Sequence, residues 1–440
     1  MTSMLGTLKE SALKLKRDGL KVRRLVAACK QLLSERGEAL GVSLAAETLA
    51  LYAELSNAEQ VTFFEALKTE FAPNPREVLR TATEYAAAPD SARLAALAHA
   101  TEPPRQELLR RLNRAPGATR AIVGMRERLL DALPKDRELR QVDDDLRHLL
   151  SSWFNPGFLK IERVDWNTPA MLLEQIIRHE AVHEIRGWTD LRRRLQGDRR
   201  CFAFFHPALP NEPLIFVEVA LVHDMPGAIG PLIEIDSDSK PPKEHQVAVC
   251  YSISNCQPGL RGVSLGNFLI KQVAAMLALE FPRVKHFCTL SPIPGFKDWL
   301  RRILASQDQI ALFPEAVNTS LEAVRRSIGP LLERSLADLR AAEKPREKVA
   351  PHLERLCAAY LLGFGETDGI TRDPVARFHL NNGARLDRLN LNADASNKGL
   401  QQSLGLMVNY VYELRTIERN HDKFMHGVTE ASKAVRGLVS

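Results

Sequence analysis

The aromatic residues of this chain are segregated. All four tryptophans (Trp153, Trp166, Trp188, Trp299) and 14 of the 17 phenylalanines lie beyond residue 150, and only Phe63, Phe64 and Phe71 precede it. Large apolar side chains anchor packed cores, so the two stretches must build different kinds of interior. The first 150 residues are rich in Ala, Leu, Glu, Arg and Lys, the strong helix formers. Helix punctuation recurs through them. Ser56-Asn57-Ala58-Glu59 is a capping box, and Asn74-Pro75 sets a cap before a proline at the first helical position. Asp90-Ser91, Pro103-Pro104 and Pro116-Gly117 mark further breaks. About eight short helices ending near Leu150 are predicted, and no repeat of fixed period points to a solenoid.

Beyond Trp153 the pattern changes. Cys201–Phe205 and Leu214–Val222 read as buried strands joined by the Pro210-Asn211-Glu212-Pro213 turn. His245–Ser254 and His286–Leu290 read as further strands, with an amphipathic helix over Gly266–Glu280 between them. Arg377–Leu380 and Leu404–Tyr412 are later strand candidates. Helices are expected within 315–363 and 414–437. This order of strands, glycine loop, helix and strand predicts an α/β or α+β domain after the helical one.

At 440 residues, with 45% hydrophobic and 26% charged residues, the chain suits two or three globular domains and not a disordered or fibrous protein. No apolar run reaches the roughly 18 residues a membrane helix needs. Lys and Arg exceed Asp and Glu by six. That mild excess suits a small anionic ligand and gives no support to nucleic acid as a partner. The six cysteines include no Cys-x-x-Cys pair, and buried free thiols in a reducing cytoplasm are expected. Charged residues Lys9, Glu10, Lys14, Lys16, Arg17 and Asp18 break the N-terminal apolar stretches, which is unlike a secretory signal.

Four segments could carry chemistry. His179-Glu180-Ala181-Val182-His183 matches the zincin pattern, in which two histidines on one helix face hold Zn²⁺. No suitable third ligand follows, so the match is expected to be incidental. Cys256 to Asn267 forms a glycine-containing loop between a strand and a helix. It fits either a pyrophosphate cradle or an ordinary turn, since both Walker and Rossmann patterns are missing. Ser291-Pro292-Ile293-Pro294-Gly295-Phe296 would hold one hydroxyl, Ser291, in a segment stiffened by two prolines. Arg377-Phe378-His379-Leu380 places a histidine in an apolar stretch, where it could equally be a core residue.

Two resemblances bring these segments together. The loop is similar to the coenzyme A loop of the GNAT acetyltransferase superfamily, with Arg261 and Gly266 at the outer positions and Ser264 where the middle glycine usually stands. More of the chain resembles the malonyl-CoA decarboxylase family. The resemblance runs in order through Asp165-Trp166-Asn167-Thr168-Pro169, Glu180-Ala181-Val182-His183, Tyr251-Ser252-Ile253-Ser254, the glycine loop, Ser291-Pro-Ile-Pro-Gly-Phe, Arg377-Phe378-His379-Leu380 and Leu404 to Tyr410. It implies an all-α N-terminal domain (1–153), used for assembly, followed by a GNAT-like α/β catalytic domain (154–440). It also implies conversion of malonyl-CoA to acetyl-CoA and CO₂ with neither biotin nor metal, in a homo-oligomer (tetramer or dimer). By match of motif, Ser291 and His379 take the catalytic roles. Arg261, Gly262, Val263, Ser264, Leu265, Gly266 and Asn267 take the coenzyme A role.

Three rival functions fit parts of the same pattern. A GNAT acyltransferase would need an amine acceptor. A thioesterase would use Ser291 and His379 without the usual Gly-x-Ser-x-Gly elbow. A non-enzymatic adaptor would rest on the helical part alone.

Overall fold

The computed structural model describes residues 19–34, 40–235, 245–263, 265, 269–306, 313–366 and 369–440. It divides into two compact units, one of Met1–Lys160, Phe205–Glu212 and Gln257–Leu265, the other of Ile161–Phe204, Pro213–Cys256 and Gly266–Ser440.

The first unit holds eight helices among its described residues, from 19–33 to Arg140–Trp153. The punctuation works as its chemistry requires. The Ser56 hydroxyl accepts from the Glu59 amide while the Glu59 carboxylate accepts from the Ser56 amide, closing the capping box ahead of Asn57–Thr69. Asn74 and Asp90 cap the next two helices. The core is aliphatic with few rings: Leu108, Leu109, Ile122, Leu129, Leu146 and Leu150 are buried with Phe63, Phe64 and Phe71. The turn Pro258–Leu260 packs on helix Ala118–Ala132. Buried Arg126 donates to the Asp143 carboxylate at 2.8 Å and to the Gly259 carbonyl at 2.7 Å. A Cβ on Gly259 would lie 2.0 Å from the Val123 carbonyl oxygen, so only glycine fits there. Helices Pro75–Ala87 and Ser91–Thr101 bury almost nothing, and Leu79 and Leu94 on them stay exposed.

The second unit is built on a sheet of eight strands: β1 (Lys160–Val164), β2 (Arg199–Phe205), β3 (Ile215–Val222), β4 (Val247–Asn255), β5 (His286–Thr289), β6 (Ser291–Pro292), β7 (Arg385–Asn390) and β8 (Met407–Tyr412). The order is β1-β2-β3-β4-β5-β8-β6, with β7 also on β8. β2, β3 and β4 pair antiparallel. β4 and β5 pair parallel, but only over Val247–Cys250 against His286–Thr289. β4 also carries one extra residue, Tyr251, where its register on β3 shifts between Glu218 and Val219. Pro292 lacks a ladder donor, and the strand it sits in is two residues long, on β8. The two strands therefore part beyond Cys250, and the far half of β4 is left without a β5 neighbour. Val247, Val249, Tyr251, Leu290, Met407 and Val411 belong to the core beneath.

The expected strands at 201–205, 214–222, 245–254 and 286–290 are present within a few residues of their predicted ends. The expected strand at Arg377–Leu380 is not. Those residues lie in helix Pro374–Asn381. Asp373-Pro374 is a cap followed by a proline at the first helical position, the same start signal as Asn74-Pro75, and it outweighs the short apolar run. β1 and β7, with their charged sequences, were not anticipated. All six cysteines are free and buried. Among the described residues no helix is long and apolar enough to cross a membrane.

Candidate active site

Ser291 opens β6 and His379 lies in the last turn of helix Pro374–Asn381, 88 residues apart in sequence. The fold brings them together. Ser291 Oγ is 2.9 Å from His379 Nε2, and both residues are buried. Ser291 Oγ also donates to Thr289 Oγ1 at 2.8 Å. His379 Nδ1 is 2.8 Å from the Tyr412 hydroxyl. The Tyr410 ring stacks on the imidazole, with centroids 4.6 Å apart and planes 26° apart.

These contacts fix the protons of a neutral imidazole. If the Ser291 proton goes to Thr289, then His379 Nε2–H donates to Ser291 Oγ, and Nδ1 accepts from Tyr412. Burial lowers the His379 pKa to about 3, so the free protein carries it uncharged at neutral pH. A line of hydrogen-bonding groups therefore runs from Tyr412 through His379 to Ser291 and Thr289.

The pair opens onto a cavity of about 270 Å³. Val182, Ile215, Ile253, Pro292, Val375 and Phe378 supply its apolar wall, and Asn255 and the Tyr251 and Cys250 region of β4 complete it. It lies where β4 and β5 part. Among the described residues no lysine or arginine lines it. Burial pushes the Cys250 thiol up to about 12, so it is not a thiolate at neutral pH.

The zincin pattern does not form its helix face. Helix Ala170–His179 stops at the first histidine, and Glu180 is already extended. The Glu180 carboxylate accepts from the Ser252 hydroxyl at 2.7 and 2.8 Å and from the Val182 and His183 amides at 2.7 Å each. Its chemistry is that of a brace tying the Val182 wall to β4. Among the described residues no group of three or more His, Cys, Asp or Glu side chains could hold a metal ion.

Of the glycine loop, Arg261 and Gly262 are exposed and Val263 and Leu265 buried, all within the first unit. Gly262 has φ +77°, which explains a glycine there. Ser264, Gly266 and Asn267 lie outside the described residues. Thr289, Tyr410 and Tyr412 escaped the sequence reading. Their mark was a row of hydroxyls inside apolar strands, which burial obliges to find partners.

The sheet with its helices is an α/β architecture, and it holds a buried serine and histidine in hydrogen-bond contact. Residues 157–440 match the family model of the malonyl-CoA decarboxylase C-terminal domain, and residues 71–154 that of its N-terminal domain. The mitochondrial malonyl-CoA decarboxylase of Anser anser anser is 38% identical over 347 residues, 76% of this chain and 69% of that protein. Its counterpart in Rattus norvegicus is 37% identical over 360 residues, 78% and 73% of the two chains. The crystal structure of malonyl-CoA decarboxylase from Rhodopseudomonas palustris superposes with a TM-score of 0.86 at 47% identity, covering 94% of this chain and 99% of that one. The Agrobacterium vitis structure gives 0.82 at 44%, covering 95% and 100%. The chain belongs to the malonyl-CoA decarboxylase family.

Proposed function

We propose that Ser291 and His379 decarboxylate malonyl-CoA in the apolar cavity, through a thioester enolate and without metal or biotin. The activity itself, malonyl-CoA to acetyl-CoA and CO₂, makes the protein a carboxy-lyase. The bond between the α-carbon and the carboxyl carbon breaks. Its electron pair passes to the α-carbon and the thioester oxygen, CO₂ leaves, and one proton is taken up. The substrate carries its own electron sink, so no covalent nucleophile is needed.

The observation that carries this reading is a cavity, lined by no lysine or arginine among the described residues, around a Ser291–His379 hydrogen bond. A carboxylate held there loses water and gains no ion pair, while the transition state disperses its charge. With substrate bound, the Ser291 hydroxyl turns its proton from Thr289 Oγ1 to the carboxylate and the developing oxyanion. The entering negative charge raises the His379 pKa from its depressed value, and His379 protonates the α-carbon. Turnover in D₂O tests this: each acetyl-CoA gains one deuterium at the α-carbon, and CO₂ forms without an added acceptor and in the presence of a chelator. Free CoA with malonate would instead mark a thioesterase, and a need for an amine an acyltransferase.

Tyr412→Phe removes the hydroxyl facing Nδ1 and frees the imidazole to change tautomer. We expect kcat to fall about tenfold, the size of one lost neutral hydrogen bond, with KM unchanged. For the coenzyme A loop, residues Arg261 to Asn267, the support is motif and exposure: Arg261 is open to solvent beside the left-handed Gly262. Arg261→Ala is expected to raise the Kd for CoA about tenfold, as loss of one charge-assisted bond does, and to spare kcat. Unchanged affinity in calorimetry would remove the loop from the account.

A GNAT-like fold for the second unit is supported by the extra residue in β4 and the parting of β4 from β5. Residues 1–153 serve as an assembly domain in a dimer or tetramer; the exposed Leu79 and Leu94 support this. Six unpaired thiols support a reducing compartment, the cytoplasm.

A further inference from the structure

Ser291 and His379 sit on separate segments, and one buried side chain joins those segments. Asp373 is fully buried. Its two oxygens serve different parts of the chain. Oδ1 accepts from the Val375 amide at 3.0 Å and the Ala376 amide at 2.9 Å, the start of the helix that carries His379. Oδ2 accepts from the Gly295 amide at 3.2 Å and the Tyr360 hydroxyl at 3.3 Å. Gly295 ends the Ser291-Pro292-Ile293-Pro294-Gly295 segment, whose two prolines make it stiff, so holding Gly295 holds Ser291. The approach is close. A Cβ on Gly295 would lie 2.2 Å from the Tyr360 hydroxyl oxygen.

An ordinary helix cap needs one acceptor oxygen, and Asn or Ser supplies it. A wholly buried carboxylate costs more, and here burial raises its pKa. Capping accounts for Oδ1. The bonds of Oδ2 reach two other segments and have no part in capping. We propose that Asp373 is a positioning residue that sets the Ser291–His379 separation by bolting the helix of one to the proline segment of the other. The proposal rests on the reading of Ser291 and His379 as the catalytic pair.

Asp373→Asn tests it, because the amide oxygen can still cap the helix while the amide nitrogen meets the Gly295 N–H donor to donor. We expect kcat for malonyl-CoA to fall about 10- to 100-fold, as small misplacements of reacting groups do, with KM unchanged. In a Ser291→Ala background the same change should add no further loss, since the pair is already broken. A purely structural role would move the melting temperature and leave this non-additivity absent. Unchanged kcat, or losses that multiply in the double variant, would overturn the proposal while leaving the catalytic pair intact. Normal turnover by Ser291→Ala alone would overturn both. If Asp373→Asn does not fold, Tyr360→Phe decides: it spares the cap and removes one Oδ2 donor. A kcat loss at constant KM supports the bolt, and an unchanged kcat overturns it.

Discussion

Replacing Ser291 with alanine is expected to lower kcat for malonyl-CoA decarboxylation by about 10²–10³, the usual effect of removing one oxyanion-directed donor. KM should change little, because the coenzyme A portion of the substrate does not depend on this hydroxyl. The folded protein should survive the change. Among the described residues Ser291 Oγ bonds Thr289 Oγ1 and His379 Nε2, and Thr289 Oγ1 keeps the Tyr410 amide, at 3.4 Å, as a donor. Steady-state kinetics with a melting curve on the same preparation separates the two effects. A Ser291→Ala protein that is folded and turns over normally would remove the serine from the mechanism.

His379→Asn is expected to cost more, about 10²–10⁴ in kcat, because in the proposed mechanism it removes the group that protonates the α-carbon. The double variant with Ser291→Ala should be little worse than this single one, as for residues that act as a unit. The histidine also leaves a mark on stability. Its pKa is about 3 in the folded chain against an ordinary 6.5, so between those values the unfolded chain binds the extra proton. Native stability contributed by the neutral imidazole is therefore full above pH 6.5 and is lost as pH falls toward 3. His379→Asn should flatten that acid limb in denaturant titrations between pH 7 and 4. An unaltered acid limb would mean the imidazole is not held neutral by burial.

Much of this was legible in the sequence for physical reasons that can be named. Capping boxes and Pro-started helices are local chemistry, so the first unit could be outlined from Ser56, Asn74 and Asp90. The central strands β2, β3 and β4 are buried on both faces and appear as largely apolar runs, interrupted by Glu218 in β3 and by Ser252 and Ser254 in β4. The late strand expected within Leu404–Tyr412 is β8, but β1 and β7 carry Lys160, Arg163, Arg385 and Arg388, and only their pairing makes them strands. The helix bearing His379 was misread because four apolar-flanked residues look alike in either state, although Asp373-Pro374 held the start signal. The motifs yielded Ser291 and His379, but their 2.9 Å contact depends on an 88-residue separation that only the folded sheet closes. The cap signal at Asp373-Pro374 and the hydroxyls of Thr289 and Tyr412 could be seen, but the bonds from Gly295 and Tyr360 to Asp373 and from Tyr412 to His379 join residues far apart in the chain.

The most direct test follows both products from carboxyl-labelled malonyl-CoA, with chelator present and no acceptor added, for the native protein, Ser291→Ala and His379→Asn. Equimolar labelled CO₂ and acetyl-CoA are expected from the native protein, and a parallel collapse of both in the two variants. Free CoA with labelled malonate, or CO₂ release undiminished in both variants, would contradict it.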